Sequence, residues 1–189
     1  MMAYLLFACS ITLGLVFGIS AASKSGRSAF RDFATSAGPL EVLPRAVRRP
    51  AARAVVVSEL ALTVLLLISA AAVVNAALVP VAVIAHAGAA AVLLAFTVAI
   101  VLTLRRGGRQ PCRCFGAKAT PLGPAHIVRN VLLLVVAFGG LATLSGSHSI
   151  EPAGAALAGV AGLVAGLLVT RFDDLTDLFR TPEISARGH

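Results

Sequence analysis

An all-α, polytopic membrane helix bundle is the fold class this sequence predicts, and three observations predict it. Five apolar runs are each long enough to cross a bilayer, which takes about 20 residues. Only 13% of the 189 residues are charged and the mean hydropathy is +0.93, whereas a soluble domain carries about 25% charged residues. The basic residues are confined to short segments between the apolar runs. An ordinary globular enzyme is thereby excluded. A net charge of +8 would point to nucleic acid in a soluble chain; here it reads as a topology signal, and no nucleic-acid partner is expected.

The spans fall at about 3–22, 54–77, 81–104, 127–145 and 154–171. The first lacks a basic n-region and is longer than a signal-peptide core, so it reads as a retained helix rather than a cleaved leader. Residues 23–53 form a polar connection in which Phe30, Phe33, Leu40 and Leu43 recur at the spacing of a short amphipathic interfacial helix, with a packed loop as the alternative. Val79, Pro80 and Val81 predict a tight turn between the second and third helices, because proline cannot continue a hydrogen-bonded helix. From Phe172 onward a polar tail has room for one or two helical turns.

Lys and Arg alternate by connection: seven before the second span, none after it, five after the third span, none after the fourth, and three in the tail. By the positive-inside rule the N-terminus faces outward, and both basic connections and the C-terminus face the cytoplasm, as in the cytoplasmic (inner) membrane of a bacterium. Gly14 and Gly18 in the first helix, and Gly154, Ala158, Gly162 and Gly166 in the fifth, repeat at four-residue spacing. Small residues at that period let helix backbones approach in lipid, and packing within the bundle is the reading preferred over a dimer face.

The residues with chemistry available to them cluster at one membrane face. Cys112-Arg113-Cys114 lies in the third connection, and a disulfide closed across one residue would be strained and therefore easily reduced. Arg109, Arg113 and Lys118 favour the thiolate form. Two other readings stay open: inert thiols, or a metal site with His126, although that set leaves zinc one ligand short and no metal is expected. Cys9 reads as a small buried hydrophobe.

Lys24 closes the first helix, Glu59 lies about one turn into the second, and His126, Arg129 and Asn130 open the fourth. An ionisable group within a span generally pairs with another, so Glu59 with Lys24 or Arg129 is the natural buried pair. His126 is placed to carry a proton. His86 and Asn75, toward the opposite face, read as makers of helix-to-helix hydrogen bonds. Phosphate-loop, zinc-protease and serine-hydrolase motifs are missing.

Four stretches together resemble the methylamine utilisation protein MauE family, within the broader DoxX-like group of four-helix membrane proteins. They are Gly18-Ile19-Ser20-Ala21-Ala22-Ser23-Lys24, Glu59-Leu60, Cys112-Arg113-Cys114-Phe115-Gly116 and Arg129-Asn130. The resemblance covers about residues 1–145, so residues 146–171 read as an additional transmembrane helix and 172–189 as a polar C-terminal tail. It implies a membrane thiol-disulfide oxidoreductase or maturation factor that forms or exchanges disulfides in partner proteins, as the family is thought to do for a maturing dehydrogenase subunit.

Cys112 and Cys114 would then be the catalytic pair, with Lys24, Glu59, His126, Arg129 and Asn130 as a supporting polar cluster. The implied partners, besides the lipid bilayer, are a thioredoxin-like protein or a substrate protein with cysteine thiols. Quinone is the cofactor that analogy with disulfide-generating membrane enzymes of the DsbB and vitamin K epoxide reductase type implies. The alternative is a non-catalytic subunit or scaffold of a larger membrane complex, in which the Cys-x-Cys is structural or binds metal.

Overall fold

The computed structural model describes residues 1–35, 43–106, 111–112, 120–121, 124–144 and 150–172. The described residues form six α-helices in chain order: α1 (Met2–Lys24), α2 (Arg27–Thr35), α3 (Arg45–Ala70), α4 (Val79–Arg105), α5 (Pro124–Ala142) and α6 (Pro152–Thr170). All except α2 are long and apolar enough to cross a membrane. Even the 19-residue helices α5 and α6 reach about 28 Å, close to the bilayer's hydrocarbon thickness of about 30 Å. The fold class is therefore the one the hydropathy predicts, and the chain is a multi-pass membrane protein.

Helices α1, α3, α4 and α5 close a ring, each packing against the next and α5 returning to α1, while α6 lies outside the ring against α1. The ring's interior holds Leu13, Phe17, Leu66, Leu93, Leu133 and Ala137, all buried. Large apolar side chains also point outward, among them Val57, Ile84, Val135 and Leu157. Outward apolar surface is what a bundle solvated by lipid tails needs, because helices satisfy their own backbone and expose only side chains.

Small residues set the closest helix contacts. A Cβ on Gly162 would stand 2.7 Å from the Ala8 carbonyl oxygen, and one on Gly166 would stand 2.9 Å from Leu15 Cδ2. Thr12 Oγ1 donates across the same seam to the Gly162 carbonyl at 3.0 Å. Gly14 and Gly18 instead face α3, at Leu67 and Thr63. Both glycine repeats thus serve packing within the chain.

Two expectations need correction. The joint between the second and third spans is not at Val79-Pro80-Val81 but at Val74 and Asn75, flanked by single 3-10 turns at Ala71–Val73 and Ala76–Leu78. Asn75 Oδ1 accepts from the Ala77 amide at 3.1 Å and so starts the new segment. Pro80 falls in the first turn of α4, where the missing N–H has no helical partner to lose. Glu59 is also deeper than one turn into its helix, because α3 begins at Arg45 and runs through Pro50 before the apolar part starts.

That basic extension of α3 carries α2 on its side. Phe33 and Ala34 of α2 are buried with Ala52 of α3, and Leu43 packs on them. A short amphipathic helix is therefore present in the first connection, over Arg27–Thr35; Leu40 lies outside the described residues, as does the tail from Asp173 onward.

Candidate functional site

The connection bearing the cysteines runs from the C-terminus of α4 to the N-terminus of α5. Its ends are held by a two-residue antiparallel pairing: Pro111–Cys112 (β1) against Thr120–Pro121 (β2), with Cys112 opposite Thr120. Cys114 lies inside the segment this pairing closes and outside the described residues; for Cys112 the backbone placement alone is described.

Because consecutive spans alternate in direction, this connection shares a membrane face with the C-terminus of α1 and the basic extension of α3. There the structure gathers the predicted polar residues. Ser20 and Lys24 are four apart and share one side of α1. Lys24 Nζ donates to Glu59 Oε1 at 2.8 Å, to Glu59 Oε2 at 2.9 Å and to Ser20 Oγ at 2.6 Å. Ser20 Oγ donates its own proton to Glu59 Oε1 at 2.9 Å. Of the two partners the sequence offers Glu59, the structure selects Lys24, with side chains only 2% and 1% exposed.

Helix α2 closes over this pair, the Phe33 ring centroid lying 5.1 Å from Lys24 Nζ. That is within the range in which an aromatic face attracts a cation. The neighbouring α5 supplies the rest of the cluster. His126, Arg129 and Asn130, in its first two turns, are all buried. Arg129 is near enough to Lys24 to act on it electrostatically. Asn130 Nδ2 donates to Thr97 Oγ1 of α4 at 3.3 Å, and its buried Oδ1 has no hydrogen-bond partner among the described residues.

Of the seven residues predicted as a site, five therefore lie buried at one end of the ring, on the membrane face from which the connection carrying Cys112 runs. Sequence reasoning missed Phe33 as the cover on Lys24 and Thr97 as the partner of Asn130. The amphipathic spacing around Phe33 was a signal for the first; a threonine in an apolar helix gives none for the second.

The opposite end corrects two further expectations. His86 is fully buried, yet its Nδ1 contacts the Ala82 carbonyl of its own helix at 2.9 Å rather than a neighbouring helix. Asn75 likewise bonds within its own turn. Cys9 is buried and free, as a small hydrophobe would be.

Neither of two apolar grooves on the bundle, one between α3 and α4 and one between α1, α3 and α6, is lined by Lys24, Glu59, His126, Arg129 or Asn130. A quinone bound in either groove would lie apart from these five side chains.

Comparison with known proteins places residues 2–143 in a match to the family described as Methylamine utilisation protein MauE. No curated protein and no solved structure matches. The match ends before α6 begins.

Proposed function

The chain belongs to the methylamine utilisation protein MauE family, and from that premise we propose that this membrane protein serves methylamine utilisation by thiol–disulfide exchange between Cys112/Cys114 and a cysteine-bearing partner protein. The four-helix ring is the family unit in this reading, and α6 is an addition to it. The observation that carries the reading is the gathering of five buried polar side chains at the end of the ring that shares a membrane face with the connection bearing the Cys-x-Cys.

In the exchange, a partner thiolate attacks one sulfur of the Cys112–Cys114 disulfide and a mixed disulfide forms. The partner's second thiol resolves it. Two electrons and two protons pass from the partner's dithiol to the pair, and the partner leaves as a disulfide; the reverse direction is equally balanced. Thiolate is favoured by the positive charge of Arg113, which stands between the two cysteines in sequence, with Arg109 and Lys118 on either side. Lys24, Glu59, Arg129 and Asn130 act as positioning residues that hold the end of α1, the middle of α3 and the start of α5 in register. His126, in the first turn of α5, is the group placed to take or return a proton.

The partner is a thioredoxin-like protein or the maturing substrate itself, and the setting is a bacterial inner membrane with the N-terminus outside and the C-terminus inside. The test is serine substitution. Cys112→Ser and Cys114→Ser should each abolish disulfide formation in the partner, and one of them should accumulate a covalent mixed disulfide that is cleaved by reductant. Full activity in both single variants, with the complex still assembled, would sink the exchange reading and favour a scaffold subunit.

A further inference from the structure

Away from the polar cluster, α3 and α4 leave a lateral groove of about 520 Å³ between them. Leu43, Val55, Val92, Phe96, Ala99 and Leu102 are among the residues that line it. An apolar trough on the outside of a membrane bundle opens to hydrocarbon chains rather than to water. Its upper end is different in character.

Residues three and four apart lie on one side of a helix, so Arg105 and Arg106 continue the α4 wall one turn beyond Leu102. Both are exposed. On α3, Arg48 precedes Val55 by two turns, and its Nε donates to the Leu43 carbonyl at 3.0 Å, fixing one of the groove's own walls. The antiparallel directions of α3 and α4 bring these three arginines to the same membrane face. Glu59, adjacent in sequence to the groove-lining Ser58, does not offset them there, because its carboxylate is turned inward onto Lys24.

We propose that this groove is a binding site for one anionic phospholipid, with an acyl chain between α3 and α4 and its phosphate held by Arg105 and Arg106, while Arg48 braces the groove wall through Leu43. Guanidinium groups match phosphate oxygens in geometry and charge, which a neutral lipid does not exploit. The apolar walls supply retention, and the arginines supply the choice of headgroup. The site is separate from the polar cluster and independent of the exchange chemistry.

Native mass spectrometry of the purified full chain in detergent tests it, with phosphatidylglycerol and phosphatidylcholine of identical chains as probes. One phosphatidylglycerol should be retained in roughly tenfold preference, the attraction expected of basic residues near an anionic headgroup. Arg105→Gln with Arg106→Gln should erase the preference while leaving both lipids weakly bound. Ala99→Phe should block both, and Ala95→Leu is the milder variant if helicity by circular dichroism shows that Ala99→Phe misfolds. Val164→Phe, on the outward face of α6, is the control and should change neither. Equal retention of the two lipids by the unaltered chain overturns the proposal, as does undiminished phosphatidylglycerol binding in the arginine or groove variants.

Discussion

Lys24 Nζ bridges both carboxylate oxygens of Glu59, at 2.8 and 2.9 Å, from the last residue of α1 to the middle of α3. Neither side chain reaches solvent, so the pair ties two helices together where neither charge could remain alone. Removing one partner of such a pair costs about 3–5 kcal/mol, whereas replacing both with apolar residues of similar volume is often close to neutral. Lys24→Met and Glu59→Met should therefore each lower the thermal midpoint in detergent strongly, and the double variant should recover most of the loss. Additive losses in that double-mutant cycle would mean the two residues act separately.

Phe33 separates two contributions in one side chain, its ring face toward Lys24 and its burial against Ala52. Phe33→Leu keeps the burial and removes the cation contact, a loss of about 0.5–2 kcal/mol. Phe33→Ala also leaves a cavity, about 3–5 kcal/mol in total. Hydrogen exchange of the α2 amides reads the difference: α2 should stay protected in the leucine variant and exchange rapidly in the alanine variant. Equal protection in both would show that Phe33 does not hold α2 down.

Two glycines should respond to substitution in different ways. At Gly140 a methyl group would overlap the His86 ring, which is buried in the ring's interior. Gly140→Ala should thus cost about 1–3 kcal/mol, the range for overpacking a core, and His86→Ala in the same chain should relieve it. At Gly162 the obstacle is the Ala8 carbonyl, which is backbone and cannot turn away. Gly162→Val should push α6 off α1 without opening the four-helix ring. Limited proteolysis would report cleavage between α5 and α6 with the ring intact, and loss of the ring itself would contradict the peripheral placement of α6.

Hydropathy made the five spans legible to within a few residues at most ends, because a bilayer-length apolar run has few other uses. The start of α3 was the exception. Arg45, Arg48, Arg49 and Pro50 look like a loop to a hydropathy window, yet they continue the helix for more than two turns as the surface on which α2 packs. The Lys24–Glu59 pair was legible from the cost of an unpaired charge in lipid. Hydroxyl contacts between helices, such as Ser69 Oγ to Ser10 Oγ at 3.0 Å and Thr12 to the Gly162 carbonyl, were not. Serine and threonine bond back to their own helix so readily that their sequence positions do not reveal a partner; Ser10 Oγ, for one, also reaches the Leu6 carbonyl. The joint at Asn75 was misread for a related reason: Pro80 both ends helices and begins them, and the sequence does not say which.

Orientation carries the last prediction. The polar cluster, the α2 cover and the Cys-x-Cys connection share one membrane face, and that face also carries Arg27, Arg31, Arg45, Arg48, Arg49, Arg53, Arg105 and Arg106. Positive residues flanking short loops are retained on the cytoplasmic side. Cys112 and Cys114 in intact cells should therefore resist a membrane-impermeant maleimide, both before and after an impermeant reductant, and react only once the membrane is permeabilised. A Cys9→Ser background removes the third thiol, which is buried and takes no part in the polar cluster. Labelling in intact cells that appears only after reduction would reverse the orientation and show an oxidised pair facing outward. The exchange chemistry would survive that result, since Arg113 stands between the two cysteines in sequence whichever face they lie on, but the partner would then be an extracytoplasmic protein. Labelling confined to permeabilised cells instead puts the partner's cysteines in the cytoplasm, where a thioredoxin-like protein is the natural source of the attacking thiolate.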